Sequence, residues 1–315
     1  MVDSHPMIEL RGLHRYFGAT KAVNDVSFEV RRGQVFGYIG PNGAGKTTSM
    51  RVLATLDLPT AGDAFIDGFS VLNDPDRVRH RLGFMPDYFG TYADVNVREY
   101  LDFFARAYRL RGAERTRAIR RVMEFTNLDV LAEKPTDGLS KGMKQRLCLG
   151  RALIHDPPVM VLDEPAAGLD PRARIEVREM IRQLANEGKA ILISSHILTE
   201  LAEICDVVGI LEMGRLVAVG SVDEIQEQGQ TAQSLVEVRL LDGTTTLPNW
   251  LAERSGVSHV RQDGQLVRFL HAGQVEAEAD LLKAMIEAGF RVVSFGSRNK
   301  SLEDVFMQVT KGLVQ

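Results

Sequence analysis

The stretch GYIGPNGAGKTTSMRVL, residues 37–53, constrains the fold of this 315-residue chain more than any other segment. Glycine recurs through its first half, the apolar run QVFGYIG leads into it, and helix-favouring residues follow from Lys46. Glycine allows consecutive backbone N–H groups to turn toward one point because no Cβ obstructs them. The pattern therefore predicts a buried strand, a tight glycine loop and a helix that begins directly after the loop.

The centre of this stretch, GPNGAGKT, fits the phosphate-binding pattern G-x-x-x-x-G-K-[ST]. Backbone donors of such a loop and the positive end of the following helix both favour an anion. Lys46 is then expected to contact the β- and γ-phosphates of a nucleoside triphosphate, and the Thr47 hydroxyl to bind Mg²⁺. The alternative is an ordinary glycine turn before a core helix. The residues predicted to bind nucleotide here are Gly40, Pro41, Asn42, Gly43, Ala44, Gly45, Lys46, Thr47 and Thr48.

Two acids end a second apolar run, VMVLDE, at residues 159–164. Asp163 is predicted to hold Mg²⁺, and Glu164 to polarise the attacking water as the catalytic base. An acid pair at a strand end is also common as a loop start or helix cap, but its position after a phosphate loop favours the catalytic interpretation. A third apolar run, ILISSH, ends in His196, which would lie at the same sheet edge and sense the γ-phosphate. The alternative for a single histidine is a surface or core position.

The apolar runs are continuous rather than alternating, which indicates strands buried on both faces, as in a parallel α/β sheet. In the first 40 residues, short strands are predicted, broken at Gly12, Gly18 and Gly33. Residues around 97–125 have helical spacing. After Gly229 a second series of short strands and helices begins, so a domain boundary is expected nearby.

Bulk properties argue against several classes of protein. The net charge of −4 gives no reason to expect nucleic acid as a partner. Two cysteines, Cys148 and Cys205, are too few for a disulfide framework and suggest reduced thiols in the cytosol. The N-terminus lacks the features of a signal peptide, and no apolar stretch approaches the length that spans a bilayer. A chain of this kind would need another chain to act across a membrane.

Five motifs, taken in their order along the chain, resemble those of the ATP-binding cassette (ABC) transporter ATPases, and the resemblance covers roughly residues 5–225. They are the phosphate loop, LSKGM, VMVLDE, AAGLD and His196. LSKGM at 139–143 matches the family's signature segment near LSGGQ, and it precedes the acidic strand as in the family. AAGLD at 166–170 matches the D-loop, and His196 matches the switch histidine. The resemblance implies ATP and Mg²⁺ as ligands.

The resemblance also implies a fold: an α/β phosphate-loop NTPase (ABC ATPase) core with a mixed sheet and a helical subdomain at about 90–155. The ATPase domain is then expected to span 1–230. Residues 231–315 resemble the tail domain of many exporter-type cassette ATPases, and are expected to form a small α+β accessory domain for dimerisation or regulation.

In this family two ATPase domains stack head to tail and trap two ATP molecules, so the chain is expected to pair with a second copy of itself. Each ATP would lie between the phosphate loop of one subunit and Ser140 and Gly142 of the other, where a helix begins. By the same resemblance Asp170 contributes to the nucleotide site. Phe17 is expected to stack on adenine, with Tyr16 as the alternative, and either aromatic would otherwise be a core residue.

Two departures from the family pattern stand out. Asp87 occupies a position where glutamine is usual; it is expected to reach Mg²⁺ or its water while adding negative charge beside the triphosphate. Lys141 and Met143 replace the commoner glycine and glutamine of the signature, and Lys141 is hypothesised to supply compensating positive charge across the dimer interface. Both departures resemble the exporter-type branch.

The function implied by the resemblance is ATP hydrolysis that energises a membrane ABC transporter, an exporter in this branch. The chain would bind peripherally to the cytoplasmic face of the cell membrane through transmembrane permease subunits. One alternative is a soluble ABC ATPase, which the single cassette and the short interval before the signature disfavour. The other is a nucleotide-dependent binding switch, which the presence of Glu164 disfavours.

Overall fold

The computed structural model of the chain describes residues 5–88, 90, 94–195, 198–228, 233–242, 245–273 and 275–298. His196, the predicted switch histidine, lies outside the described residues. The chain divides into two compact units, one that reaches Val222 and one that begins at Asp223. Each unit has an apolar core of its own.

The first unit alternates strands with helices. Its described strands are β1 Ile8–Phe17, β2 Thr20–Val30, β3 Val35–Ile39, β4 Ala61–Ile66, β5 Phe69–Ser70, β6 Leu82–Met85, β7 Val159–Asp163, β8 Ala190–Ser195, β9 Val207–Glu212 and β10 Arg215–Ser221. Its described helices are α1 Lys46–Leu53, α2 Pro75–Arg81, α3 Val97–Ala107, α4 Gly112–Phe125, α5 Lys141–Leu153, α6 Pro171–Asn186 and α7 Leu198–Ile204, with a 3-10 turn at Asp129–Leu131.

A mixed central sheet carries the site. Its strands lie in the order β10-β9-β3-β8-β7-β6; all neighbours run parallel except β10, which pairs antiparallel with β9. Strands β3, β7 and β8 are buried along their whole length, as their continuous apolar runs predict. The register pairs Ile39 with Ser195 and Asp163 with Ser194, so the carboxyl ends of these strands meet at one edge. The predicted mixed α/β core is confirmed.

A second, antiparallel sheet has the order β2-β1-β4-β5. Here the prediction that Gly12 breaks the first strand is wrong, because β1 continues through it to Phe17. Gly12 has φ 52° and the pairing register with β2 shifts between Leu10 and Leu13, which is a β-bulge. Its N–H donates to the Ser27 Oγ at 2.8 Å. The glycine therefore bends the strand instead of ending it.

The segment around 97–125 forms the two helices α3 and α4, which pack with α5. Helix α3 begins at a capping box: the Asn96 side chain accepts from the Glu99 N–H at 2.9 Å, and the Glu99 carboxylate accepts from the Asn96 N–H at 3.0 Å. Tyr100 and Leu101 are buried on its inner face. The predicted helical spacing is confirmed.

The second unit is a four-stranded antiparallel sheet with helices. Its described elements are α8 Val222–Gln228 at the boundary, then β11 Gln233–Leu240, α9 Leu247–Ala252, β12 Val257–Asp263, β13 Leu266–Ala272, α10 Val275–Glu287 and β14 Val292–Arg298. The strand order is β12-β13-β11-β14. Alternate residues of β11 and β13, such as Val236 and Phe269, join Leu251 and Met285 in the core. None of the helices described in either unit is long and apolar enough to cross a bilayer.

Candidate functional site

A cavity of about 340 Å³ lies where the glycine loop meets the acidic strand end. Asp87 and Glu164, which are far from the loop in sequence, reach the same cavity. Its lining residues are Ala22, Asn42, Gly43, Ala44, Gly45, Lys46, Thr47, Thr48, Asp87, Glu164 and Ala167. The structure therefore brings together most of the residues predicted from the sequence to bind nucleotide.

The loop has the backbone geometry of an anion site. Gly45 precedes α1 with φ 106°, a conformation that disfavours any residue with a Cβ. A Cβ at this position would also overlap the carbonyl oxygen of Ala22, which lies on β2. Helix α1 begins directly afterwards and has no acidic residue in its first turn, so its unpaired N–H groups and partial positive charge are available to an anion.

Lys46 is a buried ammonium, 6% exposed. Its Nζ donates to the carbonyl oxygens of Gly40 at 2.6 Å and of Pro41 at 3.2 Å. Burial lowers the pKa of Lys46, and the nearby carboxylates of Glu164 and Asp163 partly oppose that shift. A buried cation with carbonyl oxygens as its hydrogen-bond acceptors fits a site that receives the negative charge of a polyphosphate.

A buried serine connects the two acids. Asp163 ends β7 and is 1% exposed; its Oδ1 accepts from the Ser194 Oγ at 2.6 Å. The same Ser194 oxygen accepts from the N–H of Glu164 at 3.0 Å. Ser194 was not predicted as a site residue, although the change from apolar to polar residues at Ser194 in ILISSH was a usable signal. This arrangement orients Asp163 and holds the backbone from which Glu164 reaches the cavity.

The donor set fits Mg²⁺ that is shared with a nucleotide. The described residues include no group of three or more His, Cys, Asp or Glu that would hold a metal alone. Thr47, Asp87 and Asp163 offer hydroxyl and carboxylate oxygens, the ligands that Mg²⁺ prefers, and Mg²⁺ commonly completes its shell with phosphate oxygens and water. Loop, ammonium and oxygen donors together fit a magnesium nucleotide.

Ser140 and Gly142 lie at the start of α5, as predicted. Ser140 is its N-cap, and the Ser140 Oγ accepts from the Met143 N–H at 3.3 Å. Gly142 packs against α6, where an added Cβ would come within 3.2 Å of the Ala173 Cβ. Neither residue is among the described residues that line the cavity.

The start of α6 carries Asp170, whose Oδ1 accepts from the N–H groups of Arg172 at 3.1 Å and Ala173 at 3.0 Å. Within this chain Asp170 is therefore a helix cap. The side chain of Lys141 extends from the start of α5 to Gly168 in the turn before α6. The signature segment and the D-loop of one chain thus lie side by side.

The two aromatic candidates near the end of β1 differ. The Tyr16 hydroxyl lies 2.8 Å from the His14 Nδ1 and 3.0 Å from the side-chain amide of Asn24, so it is engaged within the protein. Phe17 is 49% exposed at the end of the β1–β2 hairpin. Phe17 is not among the described residues that line the cavity, and its contact with adenine stays a prediction.

Comparison with known proteins gives matches to both parts of the chain. The ABC transporter family profile matches residues 23–167, and the profile of the C-terminal domain of DrrA1-3-like ATP-binding proteins matches residues 220–310. The chain is 35% identical to the Nod factor export ATP-binding protein I of Ralstonia nicotianae, over 98% of this chain and 95% of that protein. It is 33% identical to the daunorubicin resistance ATP-binding protein DrrA3 of Streptomyces coeruleorubidus, over 96% of this chain and 95% of that protein.

A solved structure of an ATP-binding subunit of an ABC transporter matches the fold with a TM-score of 0.65 and 32% identity, over 70% of this chain and 92% of that one. Sequence relatives that cover nearly the whole chain, together with this shared fold, show that the protein belongs to the ATP-binding subunits of ABC transporters and is an ATPase that energises transport.

Proposed function

We propose that this chain drives export by a membrane permease, and that it works as two copies closed head to tail around two ATP molecules. The observation that carries the proposal is the composition of the cavity: it gathers the phosphate loop, Asp87 and Glu164, while Ser140 and Gly142 open a helix outside its lining. In the family these two residues contact nucleotide. One chain therefore supplies half of each reaction site.

The residues of one copy bind and orient the phosphates. The metal, when bound, supplies positive charge next to the transferred phosphoryl group. Lys46 neutralises phosphate charge at the buried end of the cavity, and Thr47, Asp163 and Asp87 are the residues that would hold Mg²⁺. Glu164 accepts hydrogen bonds from the attacking water and orients it.

The second copy closes the site from the other side. Its Ser140 and Gly142 present the positive end of α5 to the same triphosphate, and its Asp170 lies at the neighbouring helix start. Its Lys141 offsets the charge that Asp87 adds. His196, directly after β8, acts at the γ-phosphate.

Export is supported by the relatives that match nearly the full chain, one named for Nod factor export and one for daunorubicin resistance. By the family to which the chain belongs, we propose that it reaches the membrane through permease subunits, at the cytoplasmic face. The proposed ATPase domain spans residues 1–230, with the helical subdomain at about 90–155; its end lies just beyond the division of the chain after Val222. Residues 231–315 form an accessory domain for dimerisation or regulation.

The replacement Glu164→Gln tests hydrolysis and pairing together. It keeps the volume and removes the carboxylate that orients water, so we expect ATP turnover to fall at least about a hundredfold while ATP binding persists. The variant should then accumulate as an ATP-bound dimer, measured by analytical ultracentrifugation with and without MgATP. Glu179→Gln, at an exposed position of α6, is the matched control and should behave as the parent.

Co-expression with a candidate ABC permease subunit tests the coupling to transport. The expected result is co-purification and faster ATP turnover of the complex in proteoliposomes. Turnover that is unaffected by any membrane partner would point to a soluble ATPase, and an ATP-bound dimer that forms without turnover in the parent would point to a binding switch.

A further inference from the structure

We infer that Arg15 is a positioning residue for the nucleotide base: its guanidinium stacks on one face of the Phe17 ring and holds that ring so that the opposite face receives adenine. The inference rests on the proposed ATP site. Arg15 would not touch the nucleotide itself; it would act on the base through its contact with Phe17.

The guanidinium of Arg15 is held between two partners. Its Cζ lies 4.3 Å from the centroid of the Phe17 ring, within the range of a cation–π contact. Its Nη2 lies 2.8 Å from the Asp57 Oδ1, in an ion pair whose side chains are 24% and 17% exposed. The ion pair holds one end of the guanidinium at Asp57 and so keeps the group over the ring.

Asp57 links the contact between Arg15 and Phe17 to the phosphate loop. The loop leads into α1, and Asp57 lies in the segment that directly follows α1. The same segment also binds the backbone of β1. The N–H of Thr60 donates to the His14 carbonyl at 2.7 Å, and the N–H of Tyr16 donates to the Thr60 Oγ1 at 2.9 Å. The hairpin end that carries Phe17 is therefore attached to the helix that binds the phosphates.

This arrangement preorganises one ring. An aromatic side chain that is 49% exposed at a hairpin end would otherwise sample several rotamers, and binding a base would restrict it at an entropic cost. Because the guanidinium covers one face of Phe17, the ring presents a single face to a planar base. The effect belongs to nucleotide binding and not to the chemical step, so it changes KM for ATP and leaves kcat unchanged.

The test compares two arginines on one strand. Arg15→Gln should raise KM for ATP about two- to fivefold, the loss expected for one partly exposed cation–π contact, with kcat unchanged. Arg11→Gln is the matched control: the Arg11 Cζ lies 4.4 Å from the Phe65 ring centroid, and Arg11 also pairs with a carboxylate, that of Glu9. Its KM should equal that of the parent.

A polyphosphate that lacks adenine distinguishes a loss of stacking on Phe17 from damage to the phosphate loop. The Kd of inorganic tripolyphosphate, measured by calorimetry, should be the same for the parent and Arg15→Gln. Arg15→Lys keeps the charge but loses the planar stack, so it should restore only part of the affinity for ATP. In a Phe17→Ala background, Arg15→Gln should raise KM no further.

The possible results distinguish a failure of the role of Arg15 from a failure of the proposed ATP site. If Phe17→Ala raises KM but Arg15→Gln matches Arg11→Gln, the positioning role of Arg15 is wrong and the adenine site stands. If Phe17→Ala leaves KM unchanged, both the adenine platform and the role of Arg15 are wrong, while trapping by Glu164→Gln still decides the proposed ATPase cycle. A weaker Kd for tripolyphosphate in Arg15→Gln would also overturn the inference.

Discussion

Ser194 has more influence on the site than its neutral side chain suggests. Its hydroxyl donates to the buried carboxylate of Asp163 and accepts from the backbone of Glu164, so one side chain serves both acids. A carboxylate that is 1% exposed needs donors to offset the loss of water. Without this serine, Asp163 would keep its negative charge at a higher energy or turn toward another donor.

The replacement Ser194→Ala should therefore lower kcat/KM for ATP about ten- to a hundredfold, since a hydrogen bond to a charged group contributes on the order of 1.5–3 kcal/mol. Steady-state ATP turnover and the thermal unfolding midpoint are measured together. Ser70→Ala is the matched control, because the Ser70 Oγ donates to the Asp63 carboxylate at 2.6 Å in the antiparallel sheet. A Ser194→Ala variant with the kcat/KM of the Ser70→Ala variant would contradict the role assigned to Ser194.

At the scale of elements, the unit formed by β3, the glycine loop and α1 sets the geometry of the site. The loop passes so close to β2 that a side chain at Gly45 would meet the Ala22 carbonyl, and the backbone there has φ 106°. The close approach allows the N–H groups of α1 to face the cavity. Backbone conformation and packing both require glycine at this position.

Gly45→Ala should weaken the binding of ATP at least about tenfold, because a left-handed residue with a Cβ costs on the order of 1–2 kcal/mol before the overlap with Ala22 is relieved. Equilibrium binding of a fluorescent ATP analogue measures the change. Gly296→Ala is the control, since a Cβ there would meet nothing within 4 Å. Unchanged ATP affinity in Gly45→Ala would mean that the loop does not cradle phosphate.

At the scale of the whole molecule, the proposed cycle requires sites made of two chains. The cavity contains Lys46, while Ser140 begins a helix outside its lining. Two copies related by a twofold axis exchange these parts reciprocally, as expected for an isologous dimer. A chain with a defective phosphate loop should therefore regain one working site when it pairs with a chain whose signature segment is defective.

Lys46→Ala and Ser140→Arg should each abolish most ATP turnover as homodimers. Mixed in equal amounts, half of the dimers carry one intact site, so turnover should recover to about a quarter of the parent rate if the two sites act independently. Stopped-flow or coupled assays of ATP turnover after mixing check the recovery. No recovery, with mixed dimers shown to form, would exclude a site shared between chains.

Residue type and spacing were enough to predict the elements whose signals are local. The glycine loop and α1 and the buried strands β3, β7 and β8 follow from spacing and residue type over fewer than about 20 neighbours, whereas the start of α5 after Ser140 was expected from the family resemblance. The fit to the phosphate-binding pattern was local in the same way. Such signals are readable because backbone conformation and periodic burial depend mainly on nearby residues.

Contacts between residues that are far apart in the sequence could be found only from the folded chain. In the structure Asp87 and Glu164 line one cavity, Ser194 donates to Asp163, and Arg15 pairs with Asp57. These contacts depend on strand order, register and the packing of side chains, which no local pattern encodes. The strand break predicted at Gly12 was wrong for the same reason: a glycine can end an isolated strand, but β1 continues through Gly12 because β2 and β4 supply its pairing.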